Sequence, residues 1–285
     1  MKRSSFASVL IVLAACTVTS GPPAAGPAGS GNIAPLPGGT TSGGPTGTSR
    51  PRPGQTIPGN APPASISYPE LAAVGTMAKT YLQPSPARSL VVEVDWMSGR
   101  KPASSSLAHL ESILRRELAK PEGVVVRFGG EMATTRSSWT VNDMVAAERQ
   151  FRAERSGGDR VTMWIAFVGG SFADAGSALG AAFAASAAVV FRDRIGDATS
   201  ALLLASEIER SVLVHEAGHI LGLVNIGYRS AADHEDPAHP HHSKNPDSVM
   251  YWAVEDVSVR NILGGGPPDD FDQADRADLA LLRDS

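Results

Sequence analysis

Between Ser211 and Trp252 the chain reads SVLVHEAGHILGLVNIGYRSAADHEDPAHPHHSKNPDSVMYW, and its chemistry begins at His215, Glu216 and His219. The apolar residues around them, Val212, Leu213, Ile220, Leu221 and Leu223, have the spacing of a buried helix. Residues four apart share one helix face, so both imidazoles can reach a single metal ion while Glu216 points beside it. Two imidazoles leave a tetrahedral zinc needing a third protein ligand and an open position for water. Glu216 is placed to take that water's proton, and the chemistry implied is hydrolysis.

The surroundings extend the pattern. Gly222 makes it H-E-x-x-H-x-x-G, with a glycine where a helix can stop and the chain turn sharply. Downstream, Ser248-Val249-Met250-Tyr251 looks like a methionine turn. Residues 215 to 252 thus resemble the metzincin clan of zinc endopeptidases, whose signature is H-E-x-x-H-x-x-G-x-x-H followed by such a turn. The resemblance implies Zn2+ as cofactor, a peptide or protein substrate, His215 and His219 as ligands, and Glu216 as the catalytic base. Met250 would be the soft apolar floor under the metal. The implied fold is a metzincin-like zincin of the α/β (α+β) class. It has a mixed sheet with helices, an active-site helix and a small irregular C-terminal subdomain.

One position departs from the signature. Asn225 stands where the third histidine belongs, and asparagine is a poor zinc ligand. Six of the seven histidines lie between 215 and 242, so His234, His239, His241 and His242 are the candidates. The segment His242 to Met250, HSKNPDSVM, is similar to the H-C-x-N-P-x-C-V-M segment of archaemetzincins. That similarity makes His242 the third ligand and residues 226 to 241 an insertion before it. Ser243 and Ser248 replace the two archaemetzincin cysteines, so a second, cysteine-bound zinc is not expected. His234, His239 and His241 otherwise read as a solvated loop among Asp233, Glu235, Asp236, Pro237 and Pro240. Two rival readings stay open: a metal-binding lipoprotein that no longer catalyses, and a hydrolase of another clan whose third ligand is Glu235 or Glu255.

The positioning elements follow from periodicity. Strands are expected at 90–96, 123–128 and 161–168, with helices at 104–120, opened by capping serines, and 141–154. A further strand or hairpin is expected at 180–191, and one helix from 198 to 223 carries the motif. A short helix at 70–82 and an acidic helix at 271–282, its aspartates a solvated face, complete the list. Alternating strands and helices argue for helices packed on a largely parallel sheet. Residues 65–224 form the upper part of this domain and 225–285 the lower.

Residues 1–15 have a basic start and an apolar run, the pattern of a secretory signal, and Leu13-Ala14-Ala15-Cys16 resembles a bacterial lipobox. Cys16 is the expected lipidation site, anchoring the chain in a bacterial envelope at the outer membrane or cell surface. It is the single cysteine, so no disulfide can form within the chain. Residues 16–64, rich in Pro, Gly and Ser, read as a disordered tether reaching on the order of 40 Å. Removing Lys2 and Arg3 with the leader takes the net charge from −4 to −6. With no basic block left, nucleic acid is not an expected partner. The chain is expected to be a monomer.

Overall fold

The computed structural model describes residues 66–201, 203–256, 259 and 266–285. The signal segment, Cys16 and the tether lie outside the described residues. Among those described, no helix is long and apolar enough to cross a membrane.

Up to residue 224 the elements are α1 (Ala78–Leu82), β1 (Ser89–Met97), α2 (Ser104–Glu117), β2 (Val124–Met132), β3 (Ser138–Trp139), α3 (Val141–Phe151), β4 (Arg160–Val168), β5 (Ser171–Phe172), β6 (Gly180–Ala184), β7 (Ala187–Phe191), α4 (Arg192–Ala198) and α5 (Ala205–Ile220). After residue 224 come β8 (Glu235–Asp236), β9 (His239–Ser243), the 3-10 turn Trp252–Glu255 and α6 (Gln273–Arg283). The main sheet has the order β2-β1-β4-β7-β6. Its first three pairings are parallel, while β6 returns antiparallel to β7 and forms an edge. This is the expected mixed α/β layer.

Continuous apolar runs explain the centre of the sheet, since a strand covered on both faces has no polar side. In β4, Val161, Met163, Ile165 and Phe167 enter one core with Leu110 and Leu114 of α2 and Val212 and Leu213 of α5. The alternate residues Trp164, Ala166 and Val168 enter a second core with Trp139, Met144, Phe172 and Phe191. On β1 the second face carries Glu93 and Asp95, both buried. Glu93 accepts from the Ala153 and Glu154 amides, and Asp95 from the Trp164 indole and the Gly130 amide. Each buried carboxylate is satisfied where it lies.

Four expectations change. The capping serines of α2 fall inside the helix. Its N-cap is Ala103, whose amide donates to Glu209 on α5 at 2.9 Å. The helix expected over 198–223 spans only Ala205–Ile220, because Ala198 ends the preceding helix α4 and Leu204 is extended, with Glu207 accepting its amide where the new helix starts. In 70–82 only Ala78–Leu82 is helical. Gly75, at φ +81°, breaks the run where Gly227 packs so close that a Cβ would lie 2.9 Å from its Cα. The aspartates of α6 are not all solvated: Asp275 and Asp278 are buried and tie this helix to Ser248, His234 and the Ala231 amide.

Candidate metal centre

Helix α5 is buried from Ile208 to Ile220 apart from the half-buried Arg210, packed between the sheet and the segment around Met250 and the 3-10 turn, which buries His215, Glu216 and His219 together. Its end is fixed by a Schellman motif: Gly222, at φ +83°, donates to the His219 carbonyl, and Leu223 donates to that of Gly218. Val224 and Asn225 continue in left-handed conformation, at φ 54° and 64°. The Asn225 side chain donates to Glu235 at 2.6 Å and accepts from the Ser230 amide. It thus organises the excursion that follows and lies among its partners there. Glu235 in turn accepts the His241 amide at 2.7 Å, which sets the β8–β9 hairpin.

The hairpin returns the chain to the helix. His242, on β9, stacks on His215 with ring centroids 5.3 Å apart and meets His219 edge-on at 5.1 Å. Of the four candidate third histidines, His242 is the one brought to the motif pair. The others are placed too. His234 is buried rather than solvated, 3.0 Å from Asp278, and His239 lies 2.7 Å from Asp236 and stacks on Trp252 at 4.3 Å. His241 is half-buried near the Val224 carbonyl. The solvated-loop expectation thus fails for His234, while His239 and His241 stay partly exposed in a hairpin held by hydrogen bonds.

A fourth group joins the imidazoles. Glu255, at the end of the 3-10 turn, places Oε1 3.1 Å from His242 Nε2 and Oε2 3.3 Å and 3.6 Å from the Nε2 atoms of His215 and His219. Donor atoms of all four residues lie within 4.8 Å of one another. Sequence reasoning weighed Glu255 only as a third ligand replacing a histidine; it stands here beside three.

The donor chemistry fits a cation. His215 Nδ1 lies 2.6 Å from the Val249 carbonyl and His242 Nδ1 lies 3.0 Å from that of Pro240. A carbonyl only accepts, so each Nδ1 carries a proton, which leaves each Nε2 available to present a lone pair to a metal ion. His215 Nε2 nevertheless faces His219 Nε2 at 2.9 Å. Buried lone pairs converging with a carboxylate repel unless a positive charge lies among them. The group can hold a metal ion.

Charges within the cluster are set by burial and by one another. Burial, then the neighbouring His215, lowers the pKa of His219 to about 3, keeping that ring neutral. Burial works against charge on Glu255 and on His242. Their mutual attraction prevails, holding Glu255 well below the usual carboxylate range and His242 above its usual value. Burial first, and the Glu255 charge second, push Glu216 well above the carboxylate range. Both Glu216 oxygens lack a hydrogen-bond partner; the Ala182 amide favours their charge without bonding geometry.

Two glycines shape this floor. A Cβ on Gly180, the first residue of β6, would lie 2.8 Å from Glu216 Cδ. A Cβ on Gly218 would lie 3.2 Å from Met250 Cε and 3.0 Å from Phe271. Met250 is therefore packed directly against the motif helix, where the expected methionine floor belongs.

No family model matches this chain, and no curated protein matches it. Among solved structures, the chain is similar to the crystal structure of archaemetzincin from Methanopyrus kandleri. The likeness covers 69% of this chain and 97% of that one at 15% identity, with a TM-score of 0.47. The chemistry of the centre rests on its own donors.

Proposed function

We propose that the chain is a zinc-dependent endopeptidase, held at the surface of a bacterial envelope by a lipid on Cys16. The observation that carries the catalytic part is the convergence of His215, His219 and His242 beside a buried Glu216 with no other partner. Three imidazoles and a free carboxylate match a hydrolytic zinc site, in which the ion acidifies a bound water and polarises a carbonyl. His215 and His242 are held in the ligating tautomer by main-chain carbonyls.

Glu216 does the proton work. As general base it takes a proton from the attacking water, and as the resulting acid passes it to the leaving amine. The substrate is a peptide or protein, the enzyme acts as a monomer, and nucleic acid has no part. Residues 16–64 serve as the tether and 65–285 as the catalytic domain, with 225–285 its lower part.

Zinc stoichiometry and peptide-library cleavage, measured on the wild type and Glu216→Ala, test the reading. Cleavage that vanishes in the variant while zinc stays bound is the expected result; a wild type that binds zinc and cleaves nothing refutes it. A second reading, a metal-binding lipoprotein without catalysis, has its own supporting observation. Four protein donors make the closed set of a structural zinc site, which leaves no place for water.

A further inference from the structure

A hydrolytic zinc site needs an open position, yet the fourth place beside the three imidazoles is taken by this chain's own carboxylate. We propose that Glu255 is an internal fourth ligand that closes the metal site at rest and must swing away before a peptide can enter. The inference rests on the peptidase reading of the same site and reconciles it with the closed donor set.

Distances argue for ligation over a chance ion pair. Donors 2.0–2.1 Å from a tetrahedral zinc stand roughly 3.3 Å from one another. Glu255 Oε1 lies 3.1 Å from His242 Nε2, and Oε2 lies 3.3 and 3.6 Å from those of His215 and His219, so between its two oxygens the carboxylate faces all three Nε2 atoms at that spacing, on the side where a fourth ligand would stand. Its side chain is only 13% exposed, and the ion pairs it makes among the described residues are with those three rings. Neutral ligating imidazoles would leave a buried carboxylate uncompensated, and a cation held among them removes that cost.

Location argues for a latch. The Glu255 carbonyl accepts the Leu179 amide at 2.6 Å, and Asp256 bridges antiparallel to Ala178. These partners immediately precede β6, the strand at the open edge of the sheet whose first residue lies against Glu216. The latch segment thus lies where the edge strand meets the metal site, and an extended peptide approaching Glu216 along that edge meets it. Val254, buried beside it, anchors the backbone. Release then requires a rotation of the Glu255 side chain and leaves the Met250 floor in place. The exchange balances: one carboxylate oxygen leaves the ion and one oxygen of the incoming molecule replaces it.

The test uses the full chain loaded with cobalt(II), whose visible spectrum reports coordination, and acetohydroxamate as the entering ligand. Wild type, Glu255→Gln and Glu255→Ala are compared, with chelator competition measuring metal affinity and thermal unfolding confirming the fold. Removing the carboxylate should weaken metal binding at least tenfold and tighten hydroxamate binding at least tenfold. Hydroxamate binding and metal affinity equal within twofold across all three proteins would overturn the proposal. If the variants hold no metal, relaxation of bulk-water protons by the wild-type cobalt protein decides. No exchangeable water on the ion supports the latch, and one such water overturns it. Failure of the peptidase reading looks different: the variants gain hydroxamate binding and still cleave no peptide.

Discussion

Gly180→Ala isolates the position of the general base from the metal. Gly180 opens β6 directly over Glu216, and an added Cβ would stand 2.8 Å from Cδ and 2.9 Å from Cγ, with the carboxylate oxygen Oε1 nearer still. Ordinary contacts settle near 3.5 Å, so the carboxylate must retreat by roughly 1 Å. The strand should yield less than the side chain, because β6 is tied to β7 along its length while Glu216 has no hydrogen bond to lose. A 1 Å misplacement of a catalytic group costs about a hundredfold in rate, or about 2.7 kcal/mol of transition-state stabilisation. The metal ligands are untouched. The expected outcome is a kcat about a hundredfold lower, with KM nearly unchanged and one zinc still bound, on whichever peptide the library identifies. Steady-state kinetics and zinc analysis of the same preparation check it. A kcat within threefold of wild type, or zinc lost in step with activity, would refute the placement of Glu216 against the edge strand.

Replacing His242 by Ala should lower zinc affinity at least tenfold, whereas Asn225→Ala should leave zinc bound, since Asn225 is occupied by Glu235 and Ser230; chelator competition separates them. Lys120→Met should cost about 2–4 kcal/mol, because the ammonium donates to the carbonyls of Thr80, Gln83 and Ala87 at 2.6–2.7 Å and methionine leaves buried acceptors unpaired. Calorimetry should show it as a lower unfolding temperature. The buried cluster of His234, Asp275 and Asp278, with Asp272 and Tyr228 nearby, predicts a pH dependence of stability. The hydrogen bond to Asp278 raises His234 above its ordinary 6.5, and burial raises Asp275 to about 6. Groups with raised folded pKa give stability that is full below their unfolded values and lost as pH rises through the folded ones. Asp278 is lowered, chiefly by its bond from His234 against the effect of burial, and its contribution is lost as pH falls instead. Urea unfolding from pH 5 to 9 should therefore show the advantage of wild type over His234→Gln shrinking as pH rises; an advantage that grows would refute the assignment.

What could be read from the residues was set by locality. His215, Glu216, His219 and Gly222 declare themselves because one helix and its glycine stop fix their geometry within eight positions, and the structure keeps that geometry. The continuous apolar run of β4 likewise announces a central strand. His242 was reachable only through resemblance, since the path from Asn225 depends on two left-handed residues and a side-chain bond to Glu235, none of which leaves a periodic trace. The acidic helix shows the limit of composition: Asp275 and Asp278 look like solvated charge until Ser248, His234 and the Ala231 amide are seen to be their partners.

Glu255 and Gly180 mark the same limit at the site itself. Their positions relative to the imidazoles are set by the Met250 turn and by the order of strands at the sheet edge, both long-range features. A carboxylate thirty-six residues beyond His219 carries no spacing signal, and Gly180, although inside the strand expected at 180–191, does not declare which side chain it faces. Yet the two act on one group. Gly180 leaves room for the Glu216 carboxylate, and Glu255 supplies the neighbouring negative charge that, with burial, raises its pKa. Swinging Glu255 outward would remove that repulsion at the moment the fourth position opens. The base then becomes a stronger acid as the water arrives, and the same movement that admits substrate also resets the proton balance of the group that must act on it.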